Sequence, residues 1–236
     1  MSFAEDVVAI AHHEWEFFGK DEGMSTHKSG GLPKETVGKF AQRVGDYWLS
    51  IGSTEYNKLV KDHAKALGKL DGTITKLPWS AAFISYCMQM AGAGSQFPYS
   101  AGHATWIIKA IANHTVGNDK AALVGFRINE HPLLPGDLVG APRGDDAGVT
   151  YDQAVGKGWF TSHTDLIVAV DKASRQAFAI GGNVGQSVSR TTLKIDSSGR
   201  LTDTSRPWIV HIRNGIKTGP LVASSGKTLA SLLKVG

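Results

Sequence analysis

The chain has 236 residues, 42% of them hydrophobic and 19% charged. That is ordinary globular make-up, with length enough for one sizeable core or two small ones. A net charge of +4 favours an anionic polymer, but the basic residues are not clustered with aromatics as in a nucleic-acid-binding protein. The single cysteine, Cys87, excludes an internal disulfide, and no apolar run of about 18 residues is present to span a membrane.

In chain order, residues 3–18 place Phe3, Val7, Ile10, Ala11, Trp15 and Phe18 on one helical face, with Gly19 as the stop. This start lacks the basic and unbroken apolar regions of a Sec-type signal peptide. The expectation is a protein made in the cytoplasm and exported, if at all, by another route. A polar loop, GMSTHKSGGLP, follows. Phe40, Val44, Tyr47, Trp48 and Ile51 repeat the helical spacing, and a more polar helix covers about 54–68. Residues 79–91 are apolar almost all round, which predicts a helix buried on several sides and ended by Gly92 and Gly94. Residues 104–113 read as another helix.

The second half changes character. PGDLVGA, 135–141, reads as a turn into a strand. Residues 142–162 carry few apolar side chains before Trp159 and Phe160 and read as a long loop, best explained as a substrate-binding rim. Residues 163–170 alternate as a strand, 171–175 turn, and QAFAIGG returns antiparallel. TTLKID, a turn at 197–199, and PWIVHIR add strands. Helices first and strands after predict an α+β layered fold, with one domain over 1–216 and a C-terminal tail, 217–236, ending in a weak helix.

Three stretches offer chemistry. Ser80 stands in the first turn of the helix entered through Pro78 and Trp79, where free N–H groups and the helix dipole favour developing negative charge. A serine hydroxyl needs a base, and His163 can supply one, with Asp165 on the same strand face. The hairpin through 171–175 places Asn183 opposite His163, in position to fix its tautomer. Plainer roles remain open at this point: a helix-capping serine, a solvent-exposed strand end and a turn asparagine. His103, in SAGHAT, either lines the pocket or is a satisfied structural histidine. Cys87, in mid-helix, reads as a small buried hydrophobe. No metal or other cofactor is expected. HHEWE lacks the second histidine of H-E-x-x-H, and Asp145, Asp146 and Asp152 do not match a calcium loop. Gly-Lys-Thr at 226–228 lacks the earlier glycine of a phosphate loop.

WSAAFISYCMQMAG resembles the nucleophile-helix opening of the papain-like cell-wall peptidases of the NlpC and CHAP types. PGDLV resembles the turn before their first core strand, SHTDLIVAVD the strand carrying their histidine, and IGGNV the strand carrying their third polar residue. From HHEWEFFG to PWIVHIRN, about nine tenths of the chain, the layout resembles a bacterial domain family of unknown function related to these peptidases. The resemblance implies a papain-like α+β fold, with the nucleophile helix packed on an antiparallel sheet. It implies a peptidoglycan substrate cut at an amide, with Ser80 in the place of the family's cysteine, His163 as base and Asn183 as orienting residue. Trp79, His103 and Asp165 would support the site. Serine for cysteine is the departure: serine must lose its proton during attack, whereas a cysteine is already partly thiolate.

The expected function is therefore a peptidoglycan amidase or endopeptidase, an antibacterial toxin delivered by a machine such as type VI secretion into a target periplasm. Its expected partners are peptidoglycan, a cognate immunity protein and a secretion component, with neither nucleic acid nor membrane among them. Two alternatives stand: a non-catalytic wall-binding module on a degenerate papain-like fold, and an amidase or acyltransferase acting on a small substrate.

Overall fold

A computed structural model describes residues 2–52 and 54–218. The tail beyond 218, with its expected terminal helix and the Gly-Lys-Thr stretch, lies outside the described residues. The first helix, α1 (Phe3–Phe17), is opened by a capping box: the Ser2 N–H donates to Glu5 Oε2 at 2.7 Å and the Glu5 N–H to Ser2 Oγ at 3.3 Å. Gly19, at φ +93°, lets the chain leave the helix through the left-handed region. The expected apolar stripe is buried, Val7, Ile10, Ala11 and Phe18 at 1% exposure or less.

Helix α2 (Gly38–Ser50) buries Phe40, Val44, Tyr47 and Trp48, and α3 (Thr54–Leu67) packs beside it. Helix α4 (Ser80–Met90) has all of residues 80–88 buried, as its unbroken apolar sequence predicts. It packs against α1, α2 and the sheet. Helix α5 (Ala104–Thr115) follows. Cys87 is fully buried within α4, and burial pushes its thiol well up.

The strands are β1 (Asp21–Glu22), β2 (Lys28–Ser29), β3 (Leu32–Pro33), β4 (Leu123–Arg127), β5 (Leu138–Pro142), β6 (Ser162–Asp171), β7 (Gln176–Val184), β8 (Ser187–Lys194) and β9 (Val210–Asn214). Strands β2 and β3 form a small hairpin; the other seven form one sheet in the order β1-β8-β7-β6-β5-β9-β4, antiparallel except where β1 joins β8 in parallel. The class is α+β. Alternation along β6 divides its residues between two cores: Leu166 and Val168 join the helix-side core, while Ile167 packs with Val139, Ala177, Ala179, Leu193 and Trp208 on the opposite face.

Several segments depart from the sequence reading, among them the polar loop GMSTHKSGGLP, which holds the β2–β3 hairpin. Residues 142–162 are not one irregular loop but hold a 3-10 turn (Gly144–Asp146) and a helix, α6 (Tyr151–Lys157). That helix buries only Tyr151 and Ala154, too few for an apolar period. Its signal is the Thr150–Gln153 cap, where the Thr150 N–H donates to Gln153 Oε1 at 3.1 Å. Strand β4 also escaped the periodicity, because a four-residue buried run shows no alternation.

Candidate active site

Ser80 is the first residue of α4, and Trp79 precedes it at φ −91°, ψ 10°. The first bond of this helix is Phe83 N–H to Trp79 O at 3.0 Å, so the N–H groups of Ser80, Ala81 and Ala82 precede the intrahelical ladder. The Trp79 side chain is 3% exposed; its indole N–H donates to Glu35 Oε2 at 2.5 Å and its ring stacks on Phe18 at 5.8 Å. Trp79 thus sets the entry angle of α4 from behind. Burial pushes the Glu35 carboxyl up, against the Trp79 hydrogen bond.

The Ser80 hydroxyl meets His103. Their Oγ and Nε2 atoms are 2.7 Å apart, and His103 Nδ1 lies 2.8 Å from Thr164 Oγ1. The Trp106 indole N–H donates to the same Thr164 oxygen at 3.2 Å, and the His103 ring sits edge-on to Trp106 at 5.0 Å. His103 occupies the turn entering α5, so three elements fix its position: α5, the α4 N-terminus and β6. It is 3% exposed. Burial first, then the charges of His163, Arg143 and Arg206, hold its imidazole well below the usual histidine range, with Asp165 opposing them. Thr164 carries no sequence signal of its own, since a threonine in a strand is usual.

His163 and Asp165, two residues apart on β6, pair as their alternation suggests, with Nε2 and Oδ1 2.7 Å apart. The other Asp165 oxygen accepts from Arg206 at 2.8 Å. Burial alone would raise the Asp165 carboxyl, but Arg206 and His163 overturn that and hold it well below the carboxylate range. The rings of His103 and His163 are 5.1 Å apart. Among the described residues no side-chain hydrogen bond joins Ser80 to His163, or His163 to Asn183. The partner of the serine is His103, the residue read from sequence only as supporting.

Strands β6 and β7 align Leu166 with Ile180, the register that puts Asn183 at the level of His163. Between Gly181 and Val184, however, β7 shifts register against β8, and Asn183 takes φ +55°. Such a bulge re-aims a side chain. Asn183 lies with His163, Arg143, Arg206 and Met24 around a cavity of about 210 Å³. A second cavity, about 250 Å³, is lined by Ser80 and His103 together with Tyr56, Leu77, Trp159 and Phe160. Trp159, 59% exposed, lies against Gly102, so the rim expected from 142–162 does border the serine. Arg143 belongs to both cavities.

No curated protein and no solved structure matches the chain. One family profile does, over residues 35–216, a span that contains Ser80, His103, Thr164, the His163–Asp165–Arg206 chain and Arg143. The chain belongs to that family, described as "Uncharacterized protein conserved in bacteria (DUF2272)".

Proposed function

We propose that this protein is a serine acyl hydrolase, built on a papain-like variant of the α+β fold, that cleaves an amide of bacterial peptidoglycan. The observation that carries the reading is the 2.7 Å contact between Ser80 and a buried imidazole in the lining of a cavity. A hydroxyl becomes a nucleophile when a neighbouring base takes its proton as it attacks. In the competent tautomer His103 Nδ1–H donates to Thr164 and Nε2 accepts from Ser80. The low proton affinity of His103 keeps Nε2 free at neutral pH. As the proton transfers, the buried Asp165 carboxylate favours the imidazolium that forms.

Ser80 Oγ then adds to the amide carbonyl, and the oxyanion develops beside the free N–H groups at the start of α4. His103 returns the proton to the leaving amine, and water, deprotonated in the same way, releases the acyl group. His163 acts as a positioning residue, holding Asp165 together with Arg206. The sequence resemblance to cell-wall peptidases, the antiparallel sheet behind α4 and the exposed Trp159 at the cavity mouth, suited to stacking on a sugar or peptide face, support a wall substrate. Use as an injected antibacterial toxin is part of the same proposal. The modest volume beside Ser80 favours, as a second reading, a small soluble amide.

The test is release of soluble fragments and new amine termini from purified sacculi. Wild type should release them, Ser80→Ala should not, and Ser80→Cys should retain turnover, since a thiol in the same place is the better nucleophile. Equal behaviour of wild type and Ser80→Ala refutes catalysis at Ser80. Turnover of soluble acyl amides with none on sacculi selects the second reading.

A further inference from the structure

We infer that Arg143 binds a carboxylate on the substrate, so that the site selects acyl donors that carry a free acid close to the bond cut. The selection of a substrate for cleavage rests on the reading of Ser80 given above; the binding of the carboxylate does not. Arg143 is the charged residue common to the two cavities, one holding Ser80 and His103, the other His163, Asn183 and Arg206. A ligand lying across both places its carbonyl at Ser80 and its neighbouring group at the guanidinium.

The local backbone is anchored on both sides. The Arg143 N–H donates to Thr161 O at 2.9 Å, and its own carbonyl accepts from Asp146 N at 3.2 Å. The side chain is exposed, and among the described residues no carboxylate comes within ion-pair distance of it. Asp145, two residues along, forms no ion pair with Arg143, and two other carboxylates of the neighbourhood are committed elsewhere. Asp146 takes Lys157 at 2.9 Å and the Thr161 N–H at 2.7 Å. Asp165 divides its two oxygens between His163 and Arg206. Asp165 is shared by His163 and Arg206, His103 is neutral, and Arg143 faces the cavity of Ser80 with no carboxylate paired to it. A planar guanidinium with free donors matches a carboxylate in two parallel hydrogen bonds, a geometry that a neutral amide does not reproduce. Peptidoglycan stems carry such carboxylates beside their amides, whereas many small amides do not.

The experiment uses the full chain carrying Ser80→Ala, which removes turnover and keeps the cavity. N-acetylmuramoyl-L-alanyl-D-glutamate is titrated in by calorimetry, alongside the same compound with its carboxylates converted to carboxamides. The acid should bind about tenfold to a hundredfold more tightly. Adding Arg143→Gln should abolish the preference, and Arg143→Lys should restore part of it. Thermal unfolding of each variant separates lost binding from lost fold. Equal binding of acid and carboxamide, binding of neither, or a preference that survives Arg143→Gln in a folded protein overturns the inference. Hydrolysis of sacculi by wild type is scored separately. Turnover without an acid preference removes this inference and leaves the proposed function; an acid preference without turnover does the reverse.

Discussion

The two histidines make competing claims on Ser80, and substituting each in turn decides between them. His103→Gln keeps a group that can hydrogen-bond Ser80 or Thr164 but cannot take a proton. Loss of a positioned general base costs about 10²- to 10⁴-fold in rate, or roughly 3–5 kcal/mol of barrier. The same change has a folding cost. The imidazole bonds Ser80 at 2.7 Å and Thr164 at 2.8 Å, and the shorter amide reaches one of them, leaving a buried hydroxyl short of a partner at about 1–3 kcal/mol. The edge-on contact with Trp106 adds about 0.5–1.5 kcal/mol. His163→Gln is milder, because a carboxamide still donates to Asp165 and leaves the Arg206 ion pair intact. Its expected loss is under about tenfold, as its target is one hydrogen bond of a positioning chain. Both variants are to be assayed on sacculi well below their melting temperatures, with unfolding followed by circular dichroism. A folded His103→Gln protein with wild-type turnover, beside an inactive His163→Gln, would refute the Ser80–His103 assignment and return the base to His163.

Acid should weaken the fold through His103. Its folded-state proton affinity lies below that of the unfolded chain, so the unfolded chain takes up more protons below about pH 6.5. This contribution is intact above that pH and lost as pH falls, at up to about 1.4 kcal/mol per pH unit. Urea unfolding at pH 7 and pH 5.5 should show a larger loss for wild type than for His103→Gln, and parallel losses would contradict the neutral, buried imidazole. Gly182→Ala should destabilise by about 1–3 kcal/mol, since its Cβ would lie 2.4 Å from the Phe83 Cβ on α4. Gly148→Ala, with nothing within 4 Å, is the control; equal melting temperatures for the two would show that α4 does not press on β7 as described.

Much of this was legible in the sequence because long periodic segments declare themselves. The stripe Phe3, Val7, Ile10, Trp15 and the all-round apolar run after Ser80 fixed two helices and their burial. The alternation of β6 likewise announced the His163–Asp165 pair. The serine's partner was hidden for a physical reason: His103 reaches Ser80 from the turn before α5, and nothing in the local pattern of SAGHAT says which distant hydroxyl it will meet. Asn183 followed the expected register until a bulge, which a Gly-Gly-Asn string permits but does not specify. Helix α6 was missed because a seven-residue helix with two buried side chains has a cap signal and no stripe.

The family match opens at residue 35, yet the molecule does not divide there. Glu14 of α1, wholly buried, receives the Tyr47 hydroxyl at 2.6 Å and an Arg43 N–H at 3.2 Å, both from α2. Strand β1 lies along the outer edge of β8, Asp21 accepts from Lys34 and Ser187, and Met24 walls the cavity of His163. The opening thirty-odd residues are therefore a keystone of the fold. Removing them would strip the edge from the sheet, bare a trench of aromatic side chains and leave an acid-hungry tyrosine and arginine facing water, so kinship by sequence is here narrower than the unit that folds.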